Sequence, residues 1–119
     1  MPAMSGSWHC PEIRQAIARE QARELSLLRD EAMDRARRIA ALLKDKYRVV
    51  SVVAYGSLVE GGFDAHSDID LMVDGFAGPF WEMYAEAGRV ADPFPLSIVR
   101  REDASPSLLE HVLRRGVKL

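Results

Sequence analysis

The spacing of apolar residues divides the chain into two parts. From Glu12 to about Tyr47 there is no Gly and no further Pro, and Ala, Arg, Glu and Leu dominate. Ile13, Ile17, Leu25, Leu28, Ala32, Ile39 and Leu42 recur at spacings that keep one stripe on a helix. Pro11 suits the first turn. The run predicts one long helix over 11–47, or two with a break near Leu25-Ser26. Its C-terminal half is expected to pack on a sheet and its N-terminal half to project beyond it. Met1 to Cys10, small and polar, reads as a loosely ordered lead-in.

From Arg48 onward the pattern shortens. Arg48 to Tyr55 is rich in valine and predicts a buried strand. Gly56-Ser57 turns it into a short helix ending near Gly61-Gly62. Phe63 to His66 is a polar loop, and Asp68 to Val73 a second strand. Pro79 opens a helix over about Phe80 to Val90, with Phe80, Tyr84, Ala87 and Val90 as its inner face. Leu96 to Val99 is a third strand. Ser105 is placed to cap a last helix, with Pro106 at its first position and Gly116 at its end. The order predicts an α/β (α+β) domain over 11–119, a small mixed sheet layered with helices. Residues 48–119 supply the sheet and the core of the site.

Length and composition narrow the class. The chain has 119 residues, 48% of them apolar, which fits one globular domain. The formal net charge is -2, which argues against a surface built throughout for nucleic acid. A single cysteine, Cys10, excludes an intrachain disulfide and a Cys-rich zinc site. No segment has the roughly 20 apolar residues of a membrane span. The N-terminus has no basic region followed by an apolar core, so no signal peptide is expected and the cytoplasm is the simplest location.

The chemistry concentrates between Tyr55 and Val73. Side chains alternate along a strand, so Asp68 and Asp70 are expected on one face and Ile69 and Leu71 on the other. Two adjacent carboxylates are costly unless a cation lies between them. Mg²⁺ suits oxygen ligands and keeps positions open for phosphates. Gly56 lets the backbone approach a phosphate, and Ser57 offers a hydroxyl and an N–H at a helix start. Ser67 is placed to fix the loop or to hydrogen-bond beside Asp68, and it is counted with Gly56 and Ser57 among the candidate nucleotide-binding residues. Asp-x-Asp alone is weak, since an exposed strand can carry aspartates for solubility. Joined to Gly-Ser in a strand–turn–helix–strand context it is far more specific.

Gly56-Ser57, ten residues, then Asp68-Ile69-Asp70 resembles the signature of the DNA polymerase β-like nucleotidyltransferases. The single-domain size is similar to the minimal nucleotidyltransferases among them. The resemblance covers roughly Arg48 to the C-terminus and implies their fold. It implies that Asp68 and Asp70 bind two Mg²⁺ ions and that Gly56 and Ser57 hold the triphosphate of ATP or another nucleoside triphosphate. It also implies a helical HEPN-type partner, with transfer of AMP to a partner hydroxyl and an antitoxin role. Two positions depart from the family pattern. Ser97, in Leu96-Ser97-Ile98-Val99, stands where a third carboxylate is expected, and Glu60 stands where many members carry Arg. A catalytically degenerate binding or docking module of the same fold is therefore the alternative.

Other residues have plainer readings. His66 reads as an exposed loop histidine, and His9 and His111 as incidental. Trp81 and Tyr84 offer rings for stacking on a base but read first as core aromatics at helical spacing, and Arg100-Arg101 offers contacts to phosphates or a partner but reads first as a solvated pair. The arginines of the first helix interleave with acids as a solvated face. That helix is longer than one small sheet can cover, which suggests a helix–helix interface with another subunit, including a homodimer.

Overall fold

The computed structural model describes residues 10–119. The expected lead-in lies outside the described residues, apart from Cys10. Helix α1 (Pro11–Asp45) is continuous through Leu25-Ser26. Nothing in that stretch breaks a helix, so the two-helix option is not realised. Lys46 N–H closes α1 on the Leu42 carbonyl. Arg48 then takes φ +60°, and Val49 N–H returns to the Leu43 carbonyl at 3.0 Å. This turn uses the residues between helix and sheet, so β1 is Ser51–Tyr55 and starts later than Arg48.

The elements that follow are α2 (Ser57–Glu60), β2 (Ile69–Asp74), α3 (Phe80–Ala91), β3 (Leu96–Arg100), a 3-10 turn (Arg101–Asp103), α4 (Pro106–Arg115) and β4 (Val117–Lys118). The sheet order is β3-β2-β1-β4. β1 runs antiparallel to both β2 and β4, while β2 and β3 are parallel. A parallel pair needs a crossover, which α3 supplies. The fold is thus mixed α+β, with a four-stranded mixed sheet and a long N-terminal helix.

One face of the sheet carries the main core. Val52, Ala54, Ile69, Leu71, Val73 and Ile98 are buried there with α1 and α3. α1 contributes Ala32, Ala36, Ile39, Ala40 and Leu43, its buried residues. The predicted inner face of α3 is shifted: Met83, Ala87 and Ala91 are buried, with Phe80, Tyr84 and Val90 at its margins. Tyr84 sits at the margin because its O–H donates to the Leu96 carbonyl at 2.6 Å. Lys46 and the Tyr47 O–H both donate to Glu86 Oε1 at 2.6 Å, tying the end of α1 to α3.

The opposite face is covered by α4, where Val112 packs with Tyr55 and Met72. Ser105 caps α4, its Oγ accepting from Leu108 N–H at 3.2 Å. Gly116 ends the helix at φ -71°, so its role is not the left-handed turn that a terminal glycine suggests. A Cβ there would lie 2.5 Å from Val53 Cγ1 and 2.6 Å from the Val112 carbonyl oxygen. Close approach, which lets β4 reach β1, is what requires glycine.

Candidate active site

The site forms where β1 ends and β2 begins. β1 delivers the chain to Gly56, which takes φ +76°, a conformation that L side chains rarely adopt. The Val59 and Glu60 N–H groups return to the Gly56 carbonyl at 3.1 and 2.9 Å, fixing α2 directly after the turn. Ser57 is therefore the first residue of α2, where backbone N–H groups have no partner within the helix.

Asp70 lies within β2, and Asp68 lies in the loop just before it. The expected strand start at Asp68 is one residue early. Ile69 is fully buried between them, so the alternation that separates the acids from the core holds at this point. In the sheet register Asp70 faces Tyr55 of β1 on one side and Ser97 of β3 on the other. Tyr55, Asp70 and Ser97 make one row across three strands, on the face that α4 covers. Ser97 is thus beside Asp70, where a third acid on β3 would stand.

Burial and like charge both act on this row. Burial pushes the Asp70 carboxyl above the usual carboxylate range, and the negative charge of Asp68 pushes it further. Burial also raises the Tyr55 phenol, with a further push from Asp70. Gly56 makes room for the carboxylate, because a Cβ there would lie 2.7 Å from Asp70 Oδ2. The turn and the acid therefore share one small space.

The loop into β2 is held by its own polar groups. Asp64 Oδ1 accepts from His66 N–H at 2.8 Å, and Ser67 Oγ accepts from Asp64 N–H at 3.0 Å. Ser67 Oγ–H also reaches Asp64 Oδ1 at 3.2 Å. Ser67 fixes the loop, and His66 contributes its backbone to the same turn. Asp64 was missed by the sequence reading, although Asp three residues before Ser is a readable turn signal.

Two further contacts were missed because they join distant parts of the chain. His111 Nε2 lies 2.8 Å from Glu60 Oε2, which links α4 to α2. Arg29 Nε donates to the Leu58 carbonyl at 2.9 Å, which links α1 to α2. His111 is therefore not incidental, and Arg29 does not belong to the solvated face. No local spacing could signal either one.

Among the described residues, no group of three or more His, Cys, Asp or Glu is placed to hold a metal. Asp103 is engaged with Arg100 at 2.7 Å, beyond the far end of β3 from Ser97. Asp92 ends α3 and is exposed.

Residues 37–119 match the family model described as polymerase beta, nucleotidyltransferase. The chain belongs to this family. Among solved structures, one assigned as a minimal nucleotidyltransferase aligns with a TM-score of 0.61 at 26% identity, covering 80% of this chain and 95% of that one. A toxin–antitoxin MntA–HepT complex with a tyrosine changed to alanine aligns with a TM-score of 0.57 at 26% identity, covering 70% and 69%. A variant of that complex with two aspartates, one residue apart, changed to glutamate aligns with a TM-score of 0.59 at 22% identity, covering 70% of each chain. A search of curated protein sequences gives no match.

Proposed function

We propose that this protein is a Mg²⁺-dependent nucleotidyltransferase that moves a nucleotide, AMP from ATP, onto a hydroxyl of a partner protein. The observation that carries the reading is the shared space of Gly56 and Asp70 beside Asp68. Its acids are those of a phosphate-and-metal site, and the turn leaves no room for a side chain. Similarity to the MntA–HepT structures supports an antitoxin role, with a helical HEPN-type toxin as the partner. A cytoplasmic setting accords with that role.

The residues fit a divalent cation bound together with substrate phosphates. Asp68 and Asp70 would be its protein ligands, and the penalty that raises the Asp70 carboxyl would be relieved by positive charge. When bound, Mg²⁺, expected as two ions, supplies charge neutralisation at the α-phosphate and the departing pyrophosphate. Gly56 and Ser57 would hold the triphosphate by close backbone approach and by the Ser57 hydroxyl and N–H. Ser67 would keep Asp68 in place through its bonds to Asp64. The acceptor oxygen forms a bond to the α-phosphorus, the bond from that phosphorus to the bridging oxygen breaks with its electron pair leaving on pyrophosphate, and the acceptor proton passes to solvent water.

A second reading is favoured by one observation. Ser97 faces Asp70 in register, so a neutral side chain stands where a third acid would assist metal binding and take that proton. On this reading the chain binds nucleotide and docks on its partner without efficient transfer.

The deciding experiment uses α-labelled ATP, Mg²⁺ and a lysate of the source cell. Wild type is compared with the Asp68→Asn, Asp70→Asn double variant and with Ser97→Asp. A labelled protein that disappears in the double variant is the expected result. Nucleotide binding without label, with transfer appearing only in Ser97→Asp, would replace the first reading by the second.

A further inference from the structure

α1 outruns the body on which it packs. Every residue from 11 to 27 is exposed, and burial sets in only from Leu28 onward. The family match starts at residue 37, so this overhang lies outside it. At 1.5 Å per residue it is about 25 Å long. Three of its large apolar residues form a ridge, with Leu27 off it. Ile13, Ile17 and Leu25 are 43%, 42% and 45% exposed. With Gln21 they follow i,i+4 spacing, and the line continues through Leu28 into Ala32, Ala36 and the core. The same stripe is covered by the sheet and α3 in one half of the helix and open in the other, where Leu25 borders a cleft against Gly62, Phe63 and Asp64.

Length and charge independently select what covers it. An antiparallel second copy that covers the whole overhang sets residue 11 against residue 27, and residue i against 38 - i. In this register Ile17 meets Gln21, and Ile13 and Leu25 stand level on the two flanks of the contact. Arg14 and Glu24, which flank the ridge, also meet, and the two-fold axis repeats each pair. Neither makes an ion pair among the described residues. Arg19, at the axis, lies two residues from Ile17 and so about 160° away round the helix, clear of the contact. A parallel pairing would instead set Arg14 against Arg14 and Glu24 against Glu24.

We propose that the overhang of α1 is a homodimer interface, an antiparallel helix pair centred at Arg19 and fixed by reciprocal Arg14–Glu24 contacts. Two helices in contact over this length bury on the order of 1,000 Å² in total, at the low end for a specific interface. An interface of this size suits a reversible dimer, whose affinity is set by the quality of its contacts and not by area. The proposal does not depend on the nucleotide chemistry.

Sedimentation equilibrium of the full chain over a wide concentration range tests it. Wild type is expected to associate as a dimer, and Ile17→Asp to be monomeric. Arg14→Glu and Glu24→Arg each weaken association by about tenfold or more, since each sets like charges against each other twice. The Arg14→Glu, Glu24→Arg double variant recovers the dimer, and so does an equal mixture of the two single variants. These positions are exposed, so helix content by circular dichroism should stay unchanged and show that folding is intact. A wild type that stays monomeric throughout overturns the proposal, as does a dimer indifferent to the charge exchange. A monomer that takes up a helical toxin through Ile17 also overturns it, and gives the face to that partner.

Discussion

The two faces of the sheet are built from the same strands and carry opposite chemistry. Toward α1 and α3 the strands present Ile69, Leu71, Val73, Val52, Ala54 and Ile98, all buried and apolar. Toward α4 they present the row Tyr55, Asp70 and Ser97, with Met72 behind it. The first face stabilises the fold by burial. The second gives up some of that stability to hold a carboxylate that burial disfavours. One residue of register separates the two roles, because successive side chains of a strand point to opposite faces. A site built this way is rigid, since the strand that holds the acid is anchored by the core on its other side.

The largest test of this division removes the charges. Changing Asp68 and Asp70 to Asn is expected to lower the proposed transfer by about 10²–10³-fold or more, while the thermal transition stays cooperative. Label transfer together with differential scanning calorimetry checks both. Loss of folding would mean that the acids carry structure, and the contrast between the faces would fail.

On the core face, Leu71→Ala should cost about 2–5 kcal/mol, since Leu71 is fully buried between helices and sheet. Urea unfolding reads this directly. Mg²⁺-dependent nucleotide binding by the fraction that remains folded should be retained, because Leu71 points away from Asp70.

At the boundary, Gly56→Ala should cost about 1–3 kcal/mol through its positive φ. It should also weaken nucleotide binding, because the new Cβ meets Asp70 Oδ2. Isothermal titration beside urea unfolding separates the two effects. Unfolding without any change in affinity would show that the turn does not face the ligand.

The smallest effect has the opposite sign. The Asp70 carboxyl is raised in the fold, so the folded state holds its proton more tightly than the unfolded state. Stability from this group is then present at low pH and lost as pH rises from the ordinary carboxylate range through the raised value. Asp70→Asn should stabilise the metal-free protein at neutral pH by less than about 1 kcal/mol, because solvent screens a half-exposed group. The gain should vanish in acid. Thermal melts across pH without Mg²⁺ check it, and a variant that is less stable at neutral pH would refute the sign.

Legibility in the sequence followed the range of the interaction. The Ser105 cap, the Gly56-Ser57 turn and the Asp-x-Asp alternation are local, and each stands where the pattern placed it. Errors arose where distant groups compete for the same residue. Tyr84 read as inward-facing, yet the Leu96 carbonyl draws its hydroxyl to the sheet edge. Arg48 read as strand, yet the end of α1 needs a turn there. His111 and Arg29 read as incidental or solvated, yet both hold α2 from other helices.

The sequence alone singled out Gly56, Ser57, Asp68 and Asp70 as the candidate site, because Gly, Ser and two aspartates at this spacing have few other uses in a strand–turn–strand setting. It also marked the run from Pro11 as helical but left open a break near Leu25-Ser26, which the structure shows is not made. Only the tertiary structure decided that Tyr55, Asp70 and Ser97 form one row, because strand order and register come from pairing across the sheet. Only the structure likewise decided where the stripe of α1 passes from core to open surface. Periodicity marks an apolar face, but only packing shows how much of that face the rest of the chain can cover.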